Sequence, residues 1–244
     1  MAGSNMQILS TKAAMTTRSF TPAGSAGLAT YGPRLSFRQI IFAALALLFG
    51  LSEAAGARPL RIVALGDSLT AGYGLAADAA FPARLQAALK AKGFDVEIVN
   101  GGVSGDTSAD LLARLDWTLG DGADAAIIEI GANDMLRGLD PDQTEKNIDA
   151  ILARLRERKV PFLIAGMRAA PNLGGLYAAR FEPLYRALAK KYDAPLYPFF
   201  LNGVAGHPDL QLPDGLHPNP RGVDVMVAGL LPAVVAWLDG LTKN

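Results

Sequence analysis

Leu60-Arg61-Ile62-Val63-Ala64-Leu65-Gly66-Asp67-Ser68-Leu69 is an apolar run that stops on a glycine and passes the chain to an acid and a serine. A run made almost entirely of Leu, Ile, Val and Ala reads as a strand covered on both faces, as in parallel sheets. A serine on the turn after such a strand is held toward solvent and not into the core. Near the other end of the chain stands Asp214-Gly215-Leu216-His217. An Asp three residues before a His can fold back within one turn and orient the imidazole. The two segments together hold a nucleophile, a base and an orienting carboxylate, the parts of nucleophilic serine catalysis. The chain has 2 histidines, so the choice of base is narrow.

Outward from this stretch, Val96 to Val99, Ala125 to Ile130, Phe162 to Ala165 and Leu196 to Phe199 also read as strands. Between them, Pro82 to Lys92, Ser108 to Leu119, Pro141 to Lys159 and Gly175 to Tyr192 carry helical spacing, as Ile148, Ile151, Leu152 and Leu155 illustrate. A last helix is expected from Pro220 to about Leu238. Repeated strand-helix alternation predicts an α/β fold, a flavodoxin-like three-layer α/β/α sandwich around a five-stranded parallel sheet. Sites in such folds lie beyond the carboxyl ends of the strands. Ser68 follows the first strand, Gly105 the second, Asn133 the third, and Asp214 with His217 the fifth. Four loops are therefore expected to converge on one edge of the sheet.

The first 57 residues read differently. Arg34 and Arg38 precede the apolar stretch Ile40 to Leu51, and Ala55-Gly56-Ala57 follows. A basic flank, a short apolar core and an A-x-A site are the parts of a secretory signal, and the core falls short of the roughly 20 residues of a spanning helix. Residues 1–57 are expected to be an extension with a signal peptide cleaved near Ala57, and residues 58–244 one exported domain, periplasmic or secreted. Removing Lys12, Arg18, Arg34 and Arg38 from the 23 basic residues and Glu53 from the 23 acidic ones leaves 19 against 22. This balance has no basic patch and argues against nucleic acid as a partner. No stable transmembrane anchor is expected. With 0 cysteines, thiolate metal sites and cysteine nucleophiles are excluded.

Each candidate has a plainer reading. Ser68 can be a helix N-cap bonding the next turn. Thr70 stands where a G-x-S-x-G elbow would have its second glycine, and no G-x-G-x-x-G or phosphate loop follows the first strand. His207, between Gly206 and Pro208, reads as a surface residue, leaving His217 as base. Asn133, in Gly131-Ala132-Asn133-Asp134, can offer its side-chain amide to an oxyanion or simply shape the strand exit. Gly105 can present its backbone N–H where a side chain would obstruct a substrate, or be a plain turn glycine.

Gly66-Asp67-Ser68-Leu69, Gly105, Gly131-x-Asn133-Asp134 and Asp214-x-x-His217 resemble the four blocks of the SGNH (GDSL) hydrolases. The likeness runs from about Leu60 to Trp237 and is nearest to the periplasmic thioesterase I / lysophospholipase L1 / arylesterase group. It implies that Ser68 is the nucleophile and an oxyanion donor through its backbone N–H. Gly105 and Asn133 would be the other donors, and Asp214 with His217 would complete the triad. It also implies hydrolysis of acyl or aryl esters, thioesters or lysophospholipids without metal or cofactor, so the expected partner is a small-molecule or lipid ester. The apolar residues Met135, Leu136, Leu139, Met167 and Leu173 are candidates to line an acyl site. A carbohydrate O-deacetylase on the same fold and a non-catalytic lipid-binding domain are the alternatives.

Overall fold

A computed structural model of the chain describes Ser36, residues 58–120 and residues 122–241. The secretory segment expected over residues 1–57 lies outside the described residues apart from Ser36. Five strands form one sheet: β1 (Leu60–Gly66), β2 (Val96–Gly102), β3 (Ala125–Glu129), β4 (Phe162–Ala165) and β5 (Leu196–Tyr197). They are all parallel in the order β2-β1-β3-β4-β5, the flavodoxin-like arrangement expected from the alternation. All five residues of β3 are buried, as are Ile62 to Gly66 of β1, which is why neither strand alternates in sequence.

Among the described residues seven α-helices complete the layers: α1 (Ser68–Ala71), α2 (Phe81–Ala91), α3 (Ser108–Leu119), α4 (Ala132–Leu136), α5 (Pro141–Glu157), α6 (Gly174–Tyr192) and α7 (Pro220–Leu241). Helices α2 and α7 pack on each other, while α5 packs between α3 and α6. Local signals set the starts. Thr107 and Asp110 form a capping box at α3, and Asp140 caps α5 ahead of Pro141. Helix α7 is the one described helix long and apolar enough to cross a membrane by composition, with mean hydropathy 1.6. Its Val223, Met226, Leu230, Val234 and Leu238 are buried in the core instead.

The structure departs from the expected elements at strand ends. β5 stops at Tyr197: the Gly166 N–H still donates to the Tyr197 carbonyl at 2.8 Å, but the Gly166 carbonyl then accepts the Phe200 N–H at 2.8 Å, so the chain leaves the ladder register after Tyr197. β2 runs on to Gly102, whose Cβ would fall 2.3 Å from the Ala71 nitrogen, so only glycine lets α1 lie against it. Helices α1 and α4 have 4 and 5 residues, too short to show a period in sequence. Both lie at the carboxyl edge, and both carry site residues.

Candidate active site

The turn after β1 resolves the two readings of its serine. Asp67 is the N-cap of α1, its Oδ1 accepting the Leu69 N–H at 3.0 Å, and Ser68 is the first helical residue. With capping done by Asp67, the Ser68 hydroxyl is free for other partners. It meets the His217 Nε2 at 2.9 Å. His217 Nδ1 lies 2.7 Å from Asp214 Oδ2, and Asp214 Oδ1 accepts the backbone N–H groups of Leu216 (2.9 Å) and His217 (3.0 Å). Those donors and the imidazole hold the Asp214 carboxyl down at about 2, so it is ionised at any working pH. His207 is exposed at the start of a short 3₁₀ turn, Pro208–Leu210, and does not join the site.

Gly105 follows β2 and Asn133 follows β3, the strands on either side of β1. Among the described residues no acceptor faces the backbone N–H of Ser68 or of Gly105. Gly105 has φ +91°, a left-handed conformation that favours glycine, and its carbonyl accepts from Arg137 Nη2 at 2.7 Å. The Asn133 Nδ2 lies 3.0 Å from the Asp106 carbonyl and 3.2 Å from Asp67 Oδ2. The positive φ at the β3 exit belongs to Gly131 (φ +117°), not to Asn133, which sits in α4. The Asn133 amide thus donates to Asp106 and Asp67, and Gly131 forms the turn.

Beneath this set lies a frame that the sequence reading did not single out. Arg114 donates from Nε to Asp106 Oδ2 (2.5 Å), from Nη1 to the Gly101 carbonyl (2.9 Å) and from Nη2 to the Gly66 carbonyl (3.0 Å), tying β1 and β2 together. Asp134 accepts from the Ser108 N–H (2.8 Å), the Ser108 hydroxyl (2.5 Å) and the Thr144 hydroxyl (3.1 Å), binding α4 to α3 and α5. Tyr73 lays its half-exposed ring on His217, with centroids 4.5 Å apart and planes at 36°. Glu129, at the end of β3, is fully buried under Gly66. Lone interior charges in a strand ending and an aromatic in a loop give no periodic signal, so only coordinates bring them together.

The five residues expected to line an acyl site separate into two groups. Leu136 and Leu139 are exposed and Leu173 is half-buried. Met135 and Met167 are core residues, 6% and 3% exposed, and the Met135 sulfur accepts the Ala170 N–H at 3.4 Å. The turn of α4 buries Met135 while leaving Leu136 outside, and Met167, just past β4, is buried as well. Among the described residues no cluster of metal-ligating side chains occurs. An open hollow of about 580 Å³ beside Phe162, Tyr192 and Trp237 lies at the amino end of β4, across the sheet from Ser68.

The profile of the GDSL-like Lipase/Acylhydrolase family matches residues 64–225, which span Ser68, Gly105, Asn133, Asp214 and His217. The chain belongs to this family. It is 38% identical over 178 residues to an arylesterase of Vibrio mimicus, covering 72% of this chain and 88% of the relative. It is 40% identical over 178 residues to thioesterase 1/protease 1/lysophospholipase L1 of Escherichia coli K12, with 71% and 84% covered. The solved structure of AlinE4, an SGNH-hydrolase family esterase, shares 46% identity and superposes with a TM-score of 0.63 over 76% of this chain and 99% of that one. The chain is a serine hydrolase of carboxylic esters.

Proposed function

We propose that Ser68, His217 and Asp214 are the catalytic triad, and that the backbone N–H groups of Ser68 and Gly105 with the Asn133 amide form the oxyanion hole. The observation that carries this reading is the unbroken contact from the Ser68 hydroxyl through both imidazole nitrogens to Asp214, across 149 residues of sequence. His217 Nε2 takes the Ser68 proton as Oγ attacks the ester carbonyl. The developing oxyanion takes the three donors, and the imidazolium returns its proton to the leaving alcohol, thiol or phenol. Water then attacks the acyl-enzyme by the same route. Asp214 holds the Nδ1–H tautomer and stabilises the imidazolium throughout.

The substrate class is an acyl or aryl ester, with thioesters and lysophospholipids in the same range. Leu136, Leu139 and Leu173 line the acyl site, and Met135 and Met167 form its floor only where the α4 loop moves. Large apolar side chains left in solvent at the carboxyl edge favour an acyl chain over the polar cleft of a carbohydrate O-deacetylase. A binding module would place no demand on Asp214 and His217 together. The protein acts after export, with the segment before Arg58 removed.

The test is hydrolysis of p-nitrophenyl esters from acetate to palmitate by the purified protein, beside Ser68→Ala and His207→Ala. Turnover lost in the first variant and kept in the second is the expected result. Equal activity in all three would overturn the triad, and turnover confined to acetate would overturn the acyl site.

A further inference from the structure

Among the buried acids that the mechanism above leaves unused is Glu129, the one with an oxygen lacking a hydrogen-bond partner among the described residues. Glu129 closes β3 with none of its surface exposed. Its Oε2 accepts the Thr70 hydroxyl at 2.9 Å, whereas its Oε1 has no donor aimed at it among the described residues. It packs directly beneath the Gly66-Asp67 turn. A Cβ on Gly66 would fall 2.1 Å from the Thr70 hydroxyl oxygen, 2.6 Å from the Glu129 backbone carbonyl and 2.7 Å from Glu129 Oε2, so the Thr70–Glu129 contact leaves room only for glycine ahead of Asp67. Beside it the Asp67 carboxylate is also fully buried and lies within hydrogen-bonding reach of Glu129.

Two carboxyl groups in one dry space cannot both ionise at moderate cost. Burial and the adjacent Asp67 push Glu129 well above the usual carboxyl range, and burial raises Asp67 less, to about 6, against its donors Leu69 N–H and Asn133. The charged and titratable groups around the pair are Asp106 with Arg114 from the β2 side, His217 from above, and Asp134 and Tyr185 from α4 and α6. Arg114 is spent on Asp106 and the Gly66 and Gly101 carbonyls. None of these offers the free Glu129 oxygen a proton, so the proton it needs is its own.

A second observation ties the pair to turnover. Both Asn133 amide hydrogens already have acceptors, Asp106 O and Asp67 Oδ2, the latter at a long 3.2 Å. For Asn133 to serve an oxyanion, one of these must let go, and Asp67 would be left a buried charge short of a donor. We propose that Glu129 is a positioning residue, a neutral carboxylic acid whose O–H donates to the Asp67 carboxylate and so releases the Asn133 N–H for the oxyanion. Its proton also limits the charge beneath the oxyanion to a single negative unit. The inference rests on the esterase reading of Ser68 and Asn133 and names what controls that donor.

The experiment compares Glu129→Gln and Glu129→Leu with the native protein on p-nitrophenyl butyrate, with Ser68→Ala as the control for the underlying reading. Gln keeps a donor for Asp67 and an acceptor for Thr70, so kcat should hold within about threefold. Leu keeps neither, and kcat should fall about 10- to 100-fold with KM within twofold, short of the loss of a whole oxyanion donor. A folded Leu variant with native kcat, or a folded Gln variant as impaired as Leu, overturns the proposal. Infrared difference between native and Glu129→Gln protein at pH 7 should show a protonated carboxyl C=O band, and its absence overturns the proposal even where the Leu variant does not fold. Activity surviving Ser68→Ala would instead remove the esterase reading and leave the infrared result standing.

Discussion

Two carboxylic acids flank the Ser68 turn and live opposite chemical lives. Asp214 sits above it on a loop, partly in water, with three donors converging on its oxygens, and is held down to about 2. Glu129 sits below it at a strand end, dry, with one donor and a charged neighbour, and is driven up. The group is the same and the charge state is reversed. What decides is the number of N–H and O–H groups that the fold aims at each oxygen, set against the cost of desolvation. On the proposed reading the upper part of the site supplies fixed charge and moving protons, and the lower part supplies a rigid frame.

The contrast predicts that changes above Ser68 alter turnover and spare stability, whereas changes below alter stability, and reach turnover only through the donors they position. The largest effect is expected for His217→Ala, a loss of at least about 10⁴ in kcat. Its melting temperature should stay within about 3 °C of native, since the ring is a partly exposed loop residue. His207→Ala should change neither. A His217 variant that melts far below native would break the division between the two halves. Below Ser68, Asp134→Ala strands the Ser108 N–H and two hydroxyls in the interior and should cost about 3 kcal/mol in urea unfolding. An Asp134 variant of native stability but no activity would reverse its assignment from frame to chemistry.

The upper half was legible in sequence and the lower half was not, for physical reasons. Catalysis on a loop demands particular residues at short, ordered spacings, and Asp214 with His217 or Asp67 with Ser68 can be seen without coordinates. The parallel sheet was legible too, because β1 and β3 are buried on both faces and read as unbroken apolar runs. Glu129 was hidden inside one of those runs, where a single acid looks like the end of a strand. Its partners Thr70 and Asp67 are about 60 residues away, and nothing local marks the contact. The burial of Met135 was hidden for a related cause: a 5-residue helix fixes which side chain turns inward, and so short a helix leaves no period.

The acid–base contrast has a direct thermodynamic signature. Asp214 is lowered on folding, so its contribution is present above the unfolded value near 3.9 and is lost as pH falls toward 2. Glu129 is raised, so the native state keeps a proton that the unfolded chain releases near pH 4.3, and stability declines as pH rises above that value. Each retained proton is worth about 1.4 kcal/mol per pH unit at most. Glu129→Gln should therefore flatten the decline between pH 5 and 8 measured by urea unfolding, while Asp214→Asn should leave that window unchanged and weaken the dependence below pH 4. Parallel slopes for native and Gln proteins would mean that Glu129 is ionised in the fold.

The smallest effect belongs to the outermost layer of the upper half, and it tests whether exposure there has a purpose. Among the exposed large apolar residues, Tyr73, Val103, Leu139 and Leu216 lie in segments after strand ends on the Ser68 side, Leu136 ends the short α4 and Leu176 is in the first turn of α6, while Trp117 and Val225 lie within the longer helices α3 and α7. Leaving such side chains in water gains nothing for folding, and their grouping at one edge is what a chain-binding rim requires. Leu136→Asp should then lower kcat/KM for decanoate by about 5-fold, roughly 1 kcal/mol of lost apolar contact, and leave acetate unchanged. Trp117→Asp, which removes a larger and more exposed apolar group from the opposite kind of position, should leave the whole chain-length profile intact. A Leu136 variant with an unaltered profile would assign the rim to solvent. An equal loss for acetate and decanoate would mean instead that α4 had shifted and carried Asn133 with it, which places the effect in the frame below and not in the groove above.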